Sequence, residues 1–348
     1  MFEKLTEKLA HLGTFGFVML ISIIVLFKTG LCPIGSEFVG WMRETSRALP
    51  IATMYLVSSP IPLGIMRILS YPNDVVWWSV GLILYLFWIG ITYFLLFKKF
   101  PNHKKLVALL FAASTPFASA ATLIGHIDIF TLLGVTIAVL ATFKGHVWIG
   151  ALLAAGGNAD QAIASSVCLL FLFAAKSETA KKIAFPWVAS ALMCYLSVHI
   201  FLKIDSVNDP KQVILGEIKN VAFHSLGSWD LILYSQMGLL WIPWIFLVLP
   251  SFQNFRQKLL TLLGVIVLPF FMSFFILDGT KIGTTVGFLT LLISGTDYLT
   301  DFKCSPKYQR QLISFGFIFI VFFPTILVGN GGLLRLPYRK ILEQLNVI

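Results

Sequence analysis

The chain has 348 residues, 57% of them hydrophobic and only 12% charged, with a net charge of +10. That charged share is about half of what a soluble domain carries, and the mean hydropathy is +0.87, so the composition excludes a soluble globular domain, which would need far more polar residues to cover its outside. The positive charge sits in short clusters between apolar runs, as in Lys98-Lys99 and Lys104-Lys105; this is the positive-inside bias of cytoplasmic loops and not a nucleic-acid footprint.

Continuously apolar runs predict helices rather than barrel strands, which would alternate. The expected fold is an all-α, polytopic integral membrane protein, a single transmembrane domain over residues 1–348 with about 10–11 helices. In chain order, Lys4 and Lys8 precede an apolar run from Thr14 to Phe27. No small-residue cleavage site follows, and Leu31 before Cys32 spoils a lipoprotein box, so the run reads as a retained first span. The next segment, 32–74, is too apolar to be disordered. Phe38, Trp41, Met42, Ile65 and Met66 alternate with Arg43, Arg47 and Arg67, and Pro50, Pro60 and Pro62 interrupt the pattern. Amphipathic helices lying at a membrane interface are expected, with arginines suited to anionic head groups.

Spans are expected near 13–31, 75–97, 106–124, 129–143, 162–175, 183–202, 231–250, 259–277, 284–298 and 312–328. Val147 to Ala155 is apolar but short, and Gly156-Gly157-Asn158-Ala159-Asp160-Gln161 follows it. Either it is a half-span that turns back at the glycines, or 147–175 is one long kinked helix. Charge favours the half-span. With a cytoplasmic N-terminus, 98–105, 144–146, 176–182, 253–258 and 299–311 then carry the basic excess inside, as orientation requires. The C-terminal tail, 329–348, with Arg335, Arg339 and Lys340, lies outside and breaks the pattern. Cys32, Cys168, Cys194 and Cys304 are scattered singly, without metal-site or disulfide spacing.

This topology puts Glu37, Asp128, Asp160 and Asp278 on one extracytoplasmic side, each near the end of an apolar run. A carboxylate near a membrane is costly and marks a site or pathway, unless it simply reaches water. In the turn Gly125-His126-Ile127-Asp128, the acid either caps the following helix or serves a site, with His126 supporting it. Asn158 or Asp160 caps the next helix, or both join Gln161 at the mouth of a cavity. Asp278-Gly279-Thr280-Lys281 offers a carboxylate, a hydroxyl and a cation that could hold phosphate, or else a solvated turn with a local ion pair.

A first span, a long loop with an early acid and amphipathic helices, then many spans with acids in the outer turns: this layout resembles the GT-C membrane glycosyltransferases. The strings Gly125-His126-Ile127-Asp128, Asn158-Ala159-Asp160-Gln161 and Asp278-Gly279-Thr280-Lys281 are similar to the polar turns of a bacterial branch with that organisation. The chain departs from better-known members in having a lone Glu37, with Glu44 behind it, where an acid motif is usual, and in lacking a large soluble C-terminal domain. The resemblance implies a plasma-membrane enzyme that moves a sugar from a polyprenyl-phosphate donor to an acceptor on the extracytoplasmic face. It implies Glu37 or Asp128 as general base, and Asp160 and Asp278 as positioning or metal-linked acids, with a divalent metal ion as candidate cofactor. Arg67 and Lys281 would hold the lipid phosphate, beside His126, Gln161 and Arg43 as substrate contacts. Two rival expectations are a transporter or flippase for a lipid-linked or small anionic substrate, and a non-catalytic membrane subunit of a glycan-assembly complex.

Overall fold

The computed structural model describes residues 2–48, 58–201, 229–252, 254–274, 279–322, 328–329 and 332–333. Asp278, residues 202–228 and nearly all of the tail 329–348 fall outside the described residues. The fold is all-helical apart from one two-residue antiparallel pair, Val328–Gly329 with Gly332–Leu333.

The first expected span is α2 (Thr14–Thr29), preceded by an amphipathic α1 (Phe2–His11) that meets it at 116°. The interfacial segment contains α3 (Ser36–Ala48) and α4 (Pro60–Ile68), the latter opened by prolines whose fixed φ suits a first turn. The longest helix, α5 (Asp74–Lys99), is capped by Asn73, whose side chain accepts from the Val76 N–H. The run 106–124 divides into α6 (Lys104–Ala112) and α7 (Thr115–Ala121). Pro116 accounts for the break, since it has no N–H to give the Ala112 carbonyl and its ring would clash there.

Next come α8 (Asp128–Leu140), α9 (His146–Gly157) and α10 (Ala159–Ala174), all apolar and short. They are followed by α11 (Glu178–Phe201), with Pro186 inside it. The run 231–250 is bent by 82° between α12 (Trp229–Met237) and α13 (Trp241–Ser251), at Gly238, where φ is +54°. After α14 (Phe255–Ser273), with a π turn over Leu263–Val267, come α15 (Gly279–Asp301) and α16 (Pro306–Phe322). By length and composition, α5 and α14 can each cross a membrane, and the bent pairs α1–α2 and α12–α13 could each do so as one broken span.

The short segment at 147–155 is a separate helix that reverses. The Trp148 ring of α9 stacks edge-on against Phe185 at 5.9 Å, while Trp187, one helical half-turn further on α11, donates Nε1–H to Ser165 of α10 at 3.1 Å. One stretch of α11 thus reaches the start of α9 and the middle of α10 together, so these two helices lie side by side and turn at Asn158. Helix α9 also runs antiparallel to α8 at unusually close range. A Cβ on Gly134 would lie 2.5 Å from the Ala154 N and the Gly150 O, and one on Gly150 would lie 2.5 Å from the Ala138 N and the Gly134 O.

Side-chain contacts sort the loops to two ends of the bundle. At one end Lys99 Nζ donates to the Val139 O at 2.7 Å and Lys105 Nζ to the Leu9 and Ala10 carbonyls at 2.9 Å. There too His103 stacks on Phe302, Gln309 Nε2 donates to the Asn102 O, and the Ser177 and Thr179 hydroxyls donate to Asp297. At the other end Cys32 and Ile34 pair with Ala121 and Ile124 along a parallel bridge. Between the ends, Trp88 Nε1 donates to Thr136 at 3.0 Å, joining α5 to α8.

The α8–α9 contact is backbone against backbone, so it has no flexible side chain to yield. Gly150→Val is expected to lower stability by at least ~1–3 kcal/mol, read as the midpoint of thermal unfolding by tryptophan fluorescence. Gly90→Ala, at a position with open space around it, should equal or exceed the parent.

Candidate functional site

The end of the bundle opposite the lysines holds the sequence-derived site residues. The turn before α8 is built around Gly125, whose φ of +89° a side chain would strain. It is pressed against α5 so closely that a Cβ on Gly81 would sit 2.3 Å from the Gly125 Cα. Trp77 Nε1 donates to the Gly125 O at 2.8 Å and Trp78 Nε1 to the Ile34 O at 3.0 Å. Gly81 lies seven residues along α5 from Asp74, about 10 Å at the helical rise. The turn is therefore recessed below the start of that helix.

Asp128 is 6% exposed and His126 6%. The Asp128 side chain does not cap α8, whose start carries no side-chain cap. Instead Oδ1 accepts from Gln161 Nε2 at 2.9 Å, a bond that links the first turns of α8 and α10. The position still benefits from the positive end of the α8 dipole. The backbone N–H of Asp128 donates to His126 Nδ1 at 3.2 Å, and the same nitrogen is 3.2 Å from Asp128 Oδ2. Phe38 of α3 covers the imidazole, with ring centroids 4.7 Å apart.

Between the two capping candidates at the start of α10, Asn158 is the cap. Its side chain accepts from the Gln161 N–H at 3.1 Å, which also fixes the residue whose amide reaches Asp128. Asp160 is exposed and accepts from the Ser58 Oγ at 2.6 Å. Asp128 and His126 line a cavity of about 20 Å³ together with Tyr85, Ser119, Thr284 and Thr285, room for a water molecule.

The structure thus brings together Asp128, His126 and Gln161, and Glu37, Arg43, Arg67 and Asp160 are placed elsewhere. Glu37 is exposed in the first turn of α3. Arg43 pairs with Asp74 at 2.6 Å, an ion pair that fastens α3 to the start of α5. Arg67 is exposed in the last turn of α4. Lys281 lies on α15 with its side chain outside the described set, and Asp278 lies outside the described residues. Among the described residues no three His, Cys, Asp or Glu side chains gather as a metal would require. Sequence reasoning missed Thr284, Thr285, Ser119 and Tyr85. Hydroxyls in apolar runs carry no local signal, and only the packing of α5, α7 and α15 around the turn selects these four.

Comparison with known proteins adds no family: the chain matches no family model, no curated protein and no solved structure.

The Gln161 amide gives a buried carboxylate one of its donors. Gln161→Leu is expected to destabilise the protein by about 1–3 kcal/mol, measured by thermal unfolding. Asn158→Ala should cost about 1 kcal/mol through loss of the cap.

Proposed function

We propose that the chain is a multi-spanning membrane protein with its N-terminus in the cytoplasm, and that it transfers a sugar from a polyprenyl-phosphate donor to an acceptor at the extracytoplasmic face, with Asp128 as general base. The membrane part of this reading is supported by which side chains face out. Phe15, Ile83, Phe94, Phe185, Phe246 and Phe255 are each at least 60% exposed, while Thr92, Thr136, Ser190 and Ser235 are fully buried. Water would reverse that arrangement, whereas lipid accepts it. The lysines at 98–105, 176–182 and 303–307 mark the cytoplasmic end, which makes the Asp128 end extracytoplasmic. Helices α8 to α10 are shorter than a bilayer core, and the site they form is sunk within the membrane's depth.

The observation that carries the functional part is the buried Asp128 itself. An acid recessed about 10 Å below the α5 start, held by Gln161 and faced by hydroxyls, fits the expectation that a carboxylate at membrane depth has a role. A general base must take the proton of an acceptor hydroxyl while sheltered from bulk water. Asp128 has that shelter and Glu37 does not. The water-sized cavity is lined by α5, α7, α8, α15 and the turn before α8, and α3 and α4 pack beside it. Those helices rest on the site through Phe38 on His126, Ile61 against Gly156 and the Arg43–Asp74 pair.

A second reading, transport of a lipid-linked or small anionic substrate, is favoured by one feature. Helices α8 and α10 both begin at the Asp128–Gln161 pair, and interrupted helices with their starts at a shared site are characteristic of transporters.

One comparison tests both readings: lipid-linked intermediates and surface glycans in a deletion strain complemented with variants. Asp128→Asn is expected to reduce glycan modification about 100-fold or more at unchanged membrane abundance, with the sugar donor accumulating on the outer face. Accumulation on the inner face would establish transport instead, and full activity would remove Asp128 from any catalytic role.

A further inference from the structure

A second, larger cavity lies at the lysine-rich end, between α5, α6, α13, α15 and α16. It has a volume of about 360 Å³ and an almost wholly apolar wall, including Phe100, Leu106, Phe111, Phe288, Phe302 and Leu312. Its length follows from α15: Phe288 and Phe302 both line it, and fourteen residues of helix span about 21 Å. That length takes an ester linkage and the first part of an acyl chain, with about 12 Å of helix between Thr296 and Phe288, and Ser114 lines the cavity as well.

The shallow end is different. Four cations lie at this end, each within two residues in sequence of a lining position though none lines the cavity itself: Lys98 to Phe100, Lys104 to Leu106, Lys303 to Phe302 and Arg310 to Leu312. All four are exposed, and Asp301 is the only acid in residues 96–106 and 299–312. The wall also holds one unsatisfied polar atom among the described residues. The Thr296 hydroxyl is buried, with the residue 3% exposed, and has no hydrogen-bond partner. A helical threonine ordinarily bonds a carbonyl of the preceding turn. Here it sits six residues, about 9 Å, in from Phe302, the depth at which a phospholipid carries its ester carbonyls beneath the head group.

We propose that this cavity is a binding site for one tail of an anionic glycerophospholipid of the cytoplasmic leaflet, with its phosphate at the Lys98, Lys104, Lys303 and Arg310 rim and an ester carbonyl accepting from Thr296. The site is separate from Asp128, and the inference rests on the spanning reading proposed above. Apolar surface recruits the tail, basic residues next to a membrane favour anionic lipid, and the buried hydroxyl gains the acceptor it lacks.

Gly295 supplies a clean test, because it lines the cavity and a Cβ there meets nothing within 4 Å. Full-length protein purified in detergent is incubated with phosphatidylglycerol, phosphatidylcholine or inorganic phosphate, and bound species are counted by native mass spectrometry. The parent should retain phosphatidylglycerol in preference to phosphatidylcholine, and inorganic phosphate should not compete. Gly295→Phe should weaken retention roughly ten-fold or more, as displacement of two or more methylenes from the slot implies. Thr296→Val, close in shape, should weaken it without altering the fold, and Lys303→Glu with Arg310→Glu should erase the preference for the anionic lipid. Equal retention of both lipids by the parent, displacement by free phosphate, or indifference to both Gly295→Phe and Thr296→Val would overturn the proposal. Carbonate extraction of membranes separates the two failures. Release of the protein would overturn the spanning reading, whereas a retained protein that ignores these variants would overturn the lipid site alone.

Discussion

The hydrogen bond from Gln161 to Asp128 depends on the chain reversing at Asn158, and much of the upper half of the molecule is arranged around that reversal. A carboxylate buried among apolar helices is costly unless donors reach it. The Gln161 amide can do so only because α10 begins beside the start of α8, and it begins there because α9 climbs against α8 and stops. The climb is set by Gly134 and Gly150, which let the two backbones touch. The stop is set by the Gly156-Gly157 pair and by Asn158, extended in backbone and bonded through its side chain to the Gln161 N–H. Replacing any of these features would move the amide away from the acid without touching either residue.

Several of the hydroxyls in the bundle interior are satisfied locally. The Thr92 and Ser273 hydroxyls bond carbonyls of their own preceding turns, which satisfies them within their own helix. The indole donors act differently. Trp77, Trp88, Trp187 and Trp244 each donate across to another segment, to Gly125, Thr136, Ser165 and Ser294. Aromatic rings thus supply both the bulk of the packing and the directional bonds between helices. Lys28, 4% exposed, takes part in the same scheme by donating to the Ile320 carbonyl and tying α2 to the end of α16.

Helix positions were legible in the sequence because apolar runs of the right length have few other solutions. The amphipathic α3 and α4 were legible from arginines spaced among large apolar residues, and charge sided correctly with a separate helix at 147–155. What hydropathy could not show was where a run breaks. Pro116 divides the run at 106–124, and the bend at Gly238 divides the one at 231–250. Both are backbone effects that leave mean hydropathy unchanged. The site was legible in part for a similar reason. Asp128, His126 and Gln161 stand out as polar residues in tight turns, yet a turn does not reveal which way its side chains face. Asp160 looked equivalent to Asp128, but it lies on the outer side of α10 and bonds Ser58, while Gln161, one residue on, faces inward. A shift of one position on a helix is about 100° of rotation, and only packing decides it.

The two cavities have no lining residue in common, but both are lined in part by α5 and α15. Thr284 and Thr285 face the Asp128 cavity, and Phe288, one turn further along α15, closes the deep end of the apolar one. Against Phe288 packs Trp88, with ring centroids 6.2 Å apart, and Trp88 also meets Phe111 of α6 at 5.4 Å and bonds Thr136 of α8. One indole therefore fixes the spacing of α5, α6, α8 and α15 at the level where a polar pocket gives way to an apolar slot. Interiors packed this closely do not deform continuously, so a substituent that pushes on Phe288 from the slot must move Trp88 or α15 as a body. Contact alone does not establish energetic coupling between two sites. It does show that Trp88 stands between Tyr85, which lines one cavity, and Phe288, which lines the other.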